Sequence, residues 1–250
     1  MITLENVTKT FKDKTVLQKT DLSIETGKIT GFIGRNGSGK TVLFKLICGL
    51  LRPTTGTITV DGVQIGKDAD FAPDLGVLIE TPSFISYESG LRNLRDLAAI
   101  RKKIGVEQVK EAIRLVGLDP DDKKRVGKYS LGMRQRLGIA QAIMEDPSLI
   151  ILDEPMNGLD KEGVEDMRGV FAGLRDAGKT ILLASHSAED STCSATPSTS
   201  WTRAGWRKSN NTANKAKRRG RNAPSLPHVK KLDTRKGKGS ENRPLFLLLG

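Results

Sequence analysis

The chain is 250 residues long with 37% hydrophobic residues, enough for one large domain or two small ones around a real core. Its formal net charge of +12 lies wholly in residues 191–250, which hold 14 Lys/Arg against 2 Asp/Glu, so residues 1–190 are balanced and only the tail is basic. Its two cysteines, Cys48 and Cys193, have neither metal-ligand spacing nor a disulfide framework, as in a reducing cytosol, while the Ile2-Thr3-Leu4-Glu5 opening is no signal peptide and no run reaches the roughly 20 apolar residues that cross a bilayer.

Short strands come first: Ile2 to Val7, Val16 to Ile24, and Lys28 to Ile33. Gly34-Arg35-Asn36-Gly37-Ser38-Gly39-Lys40-Thr41 follows, matching Gly, four residues, Gly-Lys-Ser/Thr, a loop that holds nucleotide phosphates. Glycine permits left-handed angles and close approach of backbone to an anion. The N–H groups then converge at the positive end of the next helix. In such a loop Lys40 reaches the β- and γ-phosphates and the Thr41 hydroxyl suits magnesium. Val42, Leu43, Leu46, Ile47 and Leu50 repeat at helical spacing, with Cys48 on the apolar face. Strand, loop and helix are the setting the motif requires.

Thr57 to Val60 and Val63 to Ile65 flank Asp61-Gly62, a two-residue hairpin signal. Ser89 to Val116 reads as helix, ended by Gly117 and Pro120, and Leu131 to Met144 as another. Leu149-Ile150-Ile151-Leu152 is a continuous apolar run, the mark of a parallel strand buried on both faces. It ends in Asp153-Glu154, where Asp153 can hold magnesium through water, opposite Thr41, and Glu154 can polarise a water for in-line attack on a γ-phosphate. Val164 to Leu174 is a crossover helix, and Thr180 to Ala184 the next parallel strand. The fold class expected is α/β: a mixed sheet core with an antiparallel β group at the front and an inserted helical subdomain at about 84–146.

Tyr129-Ser130-Leu131-Gly132-Met133-Arg134-Gln135-Arg136 resembles the signature of the ATP-binding cassette family, a branch of the P-loop NTPases. Met133 stands where that family commonly has a second glycine. The resemblance implies that Ser130 and Gly132 bind the γ-phosphate of nucleotide held by a second copy of the chain. It implies further that Phe11 stacks on adenine, that Asn157-Gly158-Leu159-Asp160 crosses the dimer interface, and that His186 contacts the γ-phosphate. Glu80 occupies a loop position where many relatives carry glutamine, and its carboxylate can reach magnesium or the attacking water. This variant, together with Ser-Leu-Gly-Met-Arg-Gln-Arg, is similar to the ATPase subunits of bacitracin-resistance and lantibiotic-immunity exporters. ATP and Mg²⁺ are therefore the implied cofactors, and a membrane permease and a second copy the implied partners, at the inner face of the cell membrane.

The resemblance covers residues 1–190, without the amphipathic helix, strand and closing hairpin that follow the histidine in relatives. Residues 191–250 keep no apolar period, so a disordered basic tail is expected. The abrupt change near Asp190 reads as a frame shift, which would leave the core short of its last elements and the product poorly folded or inactive; the alternative is a natural basic extension. A soluble, nucleic-acid-directed cassette protein is the competing function. Nucleic acid is not the expected partner, because such relatives usually carry two cassettes and this chain has one phosphate loop.

Overall fold

The strands assemble into two sheets. The computed structural model describes residues 1–186 and the backbone of 199–202 and 205–208. The first sheet is antiparallel and four-stranded, in the order β2-β1-β4-β5, from β1 (Ile2–Phe11), β2 (Lys14–Ile24), β4 (Thr55–Val60) and β5 (Val63–Gln64). Asp61 and Gly62 take φ of 47° and 85° in the β4–β5 turn, the two left-handed angles that a type I′ hairpin needs. β1 runs four residues beyond the expected Val7, because irregular register around Asn6 lets the strand continue to Phe11.

The second sheet has the order β10-β9-β3-β8-β7-β6. Its parallel part joins β3 (Ile29–Ile33), β8 (Thr180–Ser185), β7 (Leu149–Asp153) and β6 (Leu75–Leu78). The apolar run of β7 divides by parity. Ile150 and Leu152 enter the core shared with the inserted helices, whereas Leu149 and Ile151 enter the core between the sheets. Side chains alternate across a strand, so a strand covered on both faces must be apolar at every position, as the sequence expectation held.

Helix α1 (Lys40–Cys48) lies in the core between the sheets, where Phe44 meets Phe32 edge to face at 5.3 Å. Such a pair contributes about 1 kcal/mol beyond its buried area. Cys48 is fully buried there and its thiol is pushed up by burial; it is a small core residue, as expected.

Between β6 and β7 the chain inserts α2 (Gly90–Arg101), α3 (Val106–Leu115) and α4 (Leu131–Ile143). The single helix expected over 89–116 is thus two. Lys102 turns left-handed at φ 54° and Gly105 caps α3, with its N–H bonded to the Gln108 side chain at 3.1 Å. The local break wins because it lets Val109, Ala112 and Ile113 of α3 face the same core as Leu94 and Ala98 of α2. Helix α5 (Lys161–Asp176) then crosses back to β8.

β9 (Thr199–Thr202) runs parallel beside Phe32 and Ile33 of β3 and returns as β10 (Gly205–Lys208). These eight residues depart from the expectation that nothing regular follows residue 190. The outer edge of β3 presents unpaired backbone groups that a Thr- and Trp-containing stretch can meet. The remainder of the tail, with the frame-shift and nucleic-acid readings placed on it, lies outside the described residues.

Candidate functional site

The site forms where β3 and β7 end side by side with β8 between them. After Ile33 the Gly34 N–H bonds the Ser185 carbonyl at 3.1 Å, which ties the start of the glycine loop to the end of β8. Gly37 and Gly39 take φ of 77° and 99°, angles that strain any residue with a Cβ. A Cβ on Gly39 would also lie 3.2 Å from the Val16 carbonyl of β2. The start of α1 carries no side-chain cap, unlike α2, α4 and α5, which begin on Ser89, Ser130 and Asp160. Its first N–H groups are therefore left for an anion.

Lys40, 5% exposed, donates to the Gly34 carbonyl at 2.6 Å and stands 3.5 Å from Glu154 Oε1. The Thr41 hydroxyl donates to Asp153 Oδ2 at 2.5 Å. Asp153 is the last residue of β7 and is buried, and its other oxygen, Oδ1, has no hydrogen-bond partner. Burial pushes the Asp153 carboxyl above its ordinary range, with Glu154 and Glu80 adding to the effect and Thr41 and Lys40 opposing it. Glu154 Oε2 faces His186 Nδ1 at 2.9 Å. Five residues expected to act together, Lys40, Thr41, Asp153, Glu154 and His186, thus form one connected cluster across 146 residues of sequence.

Oxygen atoms from a hydroxyl and a buried, half-partnered carboxylate suit a hard divalent cation that takes its remaining ligands from phosphates. Glu80 sits elsewhere in this network. Its carboxylate pairs with Lys45 of α1 at 2.6 Å and is largely exposed, at a left-handed φ of 65°. Lys45 is a residue that sequence reasoning missed; helical spacing from Thr41 was the only available signal. Arg35 and Asn36 lie exposed on the loop, whereas Ser38 Oγ is buried without a partner. Phe11 ends β1 in an exposed position, with Lys9 Nζ 4.9 Å above its ring.

The remaining expected residues gather in a second cluster. Ser130 caps α4 by accepting the Met133 N–H at 3.1 Å, and Asp160 caps α5 by accepting the Gly163 N–H at 2.8 Å. A Cβ on Gly132 would stand 2.8 Å from the Gly158 carbonyl. The signature and the 157–160 loop therefore pack on each other, with both caps exposed. The two clusters meet at the Glu154 carbonyl, which accepts Gln135 Nε2 of α4 and the Asn157 N–H, each at 3.2 Å.

The sequence profile of the ABC transporter family matches residues 17–157, which contain the glycine loop, the signature and the β7 carboxylates. The chain belongs to the ABC transporter family. Over 188 residues this cassette is 42% identical to the bacitracin transport ATP-binding protein BcrA of Enterococcus faecalis, covering 74% of this chain and 61% of BcrA. It is 40% identical over 190 residues to the ABC transporter ATP-binding protein YybJ of Bacillus subtilis, covering 76% of this chain and 87% of YybJ. Its fold matches the dimeric, ADP- and phosphate-bound structure of the ATP-binding cassette MJ0796 with a TM-score of 0.75, at 23% identity and over 86% of this chain and 100% of that one. Among the described residues no helix is long and apolar enough to cross a membrane. The fold class expected from the sequence, an ABC-type α/β cassette, is the one observed.

Proposed function

We propose that this cassette binds and hydrolyses ATP as one of two copies that drive a membrane permease, and that the complex exports peptide antibiotics of the bacitracin or lantibiotic kind. The observation that carries the catalytic part is the Thr41–Asp153 contact, which draws the end of the phosphate loop onto the carboxylate end of β7. The BcrA likeness supports the cargo class, and the dimeric MJ0796 cassette supports pairing of two copies.

The chemistry follows from the geometry. Triphosphate oxygens meet the uncapped N–H groups of α1 and draw the Lys40 ammonium from the Gly34 carbonyl and the Glu154 carboxylate. Thr41 Oγ1 and the free Asp153 Oδ1 would hold a magnesium ion, whose charge offsets that of the β- and γ-phosphates. Released from Lys40, Glu154 Oε1 can accept a proton from the water that attacks the γ-phosphorus. His186 keeps the other carboxylate oxygen in place. Most of the rate comes from positioning and neutralised charge.

Two variants test this reading. Lys40→Ala should abolish binding of a fluorescent ATP analogue. Glu154→Gln should bind it normally while turnover falls about 100- to 1,000-fold, equivalent to about 3–4 kcal/mol. Hydrolysis by Glu154→Gln at the parent rate would remove Glu154 from its role.

A further inference from the structure

Glu154 has an unusual backbone. Its φ of 51° places a β-carbon-bearing residue in the left-handed region, a strained conformation that persists only where the surroundings over-determine it. Three hydrogen bonds supply that determination. The Glu154 N–H donates to the Ala184 carbonyl of β8 at 3.0 Å. Its carbonyl accepts the Asn157 N–H at 3.2 Å and the Gln135 side-chain amide at 3.2 Å. Both lone pairs of that oxygen are thus engaged, so the peptide planes on each side of the Glu154 α-carbon are pinned. The direction of the Cα–Cβ bond is set with them, and with it the aim of the carboxylate between Lys40 and His186.

Two of these three bonds come from β8 and from the turn after β7. The third comes from α4, the inserted helix whose first residue follows Ser130. Gln135 is 6% exposed and five residues beyond that cap. Its amide cannot turn to water when the contact breaks, so an unmade bond there leaves a buried polar group unsatisfied. α4 is also anchored from its far side, where Arg136 donates to the Val116 carbonyl of the α3 end at 2.7 Å and pairs with Asp166 of α5 at 3.0 Å.

We propose that Gln135 is the positioning residue for Glu154. Its amide fixes the peptide that aims the Glu154 carboxylate, so that turnover depends on how α4 sits against the sheet within the same subunit. A displacement of α4 by about an ångström stretches this 3.2 Å bond beyond hydrogen-bonding length and lets the Glu154 peptide rotate. The inserted helices thereby reach the hydrolytic carboxylate directly, by a route separate from their contact with any second copy.

The inference rests on Glu154 acting as the base, and the experiment separates the two claims. Gln135→Met keeps the length of the side chain and removes the donor, and Gln135→Glu keeps its shape and polarity while replacing the donor with an acceptor. Steady-state ATPase assays on both should show kcat lowered about ten-fold, with KM and the affinity for a fluorescent ATP analogue held within about two-fold. A double-mutant cycle supplies the readout that a merely structural glutamine would not move. In the Glu154→Gln background, where the carboxylate no longer takes a proton, Gln135→Met should add no further loss, whereas independent effects would multiply. Parental kcat in Gln135→Met, or losses that multiply in the double mutant, would overturn the proposal while leaving the base assignment intact. An unaffected Glu154→Gln single mutant would instead sink the reading beneath it. If Gln135→Met unfolds, the same cycle with Gln135→Glu decides the matter.

Discussion

Asp153 sets burial against charge. Its carboxyl is held above the ordinary aspartate range, first by burial and then by the charges of Glu154 and Glu80. A folded-state value above the unfolded one means that the folded chain binds the proton more readily. Stability therefore falls as pH rises from the ordinary aspartate value of 3.8 through the raised one. Asp153→Asn keeps an oxygen for the Thr41 hydroxyl and removes the charge, so it should melt higher than the parent at about pH 7.5. The two melting curves should converge as pH falls toward the unfolded value; a constant gap down to about pH 4 would contradict this account. Selection for a buried charge at a cost in stability is what a phosphate- and cation-handling role predicts. The residue types at this site were legible in the chain, since Gly-Lys-Thr at a helix start and Asp-Glu at a strand end each announce themselves. The left-handed backbone of Glu154 and its bond from Gln135 were not, because both arise between segments that are distant along the chain.

At the scale of elements, small residues decide which helices can lie on the sheet. A Cβ on Gly76 of β6 would stand 1.9 Å from the Ala142 carbonyl of α4 and 2.7 Å from Pro147. Backbone, unlike a flexible side chain, has nowhere to retreat, so α4 would have to lift. Gly76→Ala should destabilise the fold by roughly 3 kcal/mol or more, read as a shift in the urea midpoint. Gly169 of α5 supplies the control, because a Cβ there would meet nothing within 4 Å: Gly169→Ala should be neutral or slightly stabilising. Reading the chain alone missed β6 altogether. Its four residues, Leu75–Leu78, are too few to carry a period and become a strand only by pairing with β7. Long apolar or strongly punctuated segments fared better: β7, the Asp61-Gly62 hairpin and α4 appeared where the pattern placed them.

For the whole molecule, the proposed shared site divides between two exposed caps and an uncapped helix start. Ser130 and Asp160 face outward on α4 and α5, while α1 offers its free N–H groups beside Lys40. If two copies complete each other's sites, ATP must lie between one copy's α1 and the other's α4. Glu154→Gln should then double in mass with ATP and magnesium in analytical ultracentrifugation and return to one copy without nucleotide. Ser130→Arg should prevent that association while leaving ATP binding by the single copy within a few-fold; a persistent dimer would argue against the shared site. The sequence by itself determined the glycine loop, the acidic end of β7, the signature and the α/β class, because each depends on residues adjacent in the chain or on a local period. Only the tertiary structure decided that Glu80 pairs with Lys45, that the insertion begins with two helices instead of one, and that Gln135 grips the Glu154 peptide. Those outcomes are settled by competition among packed segments for the same carbonyls, charges and buried space, and no local pattern records who wins it.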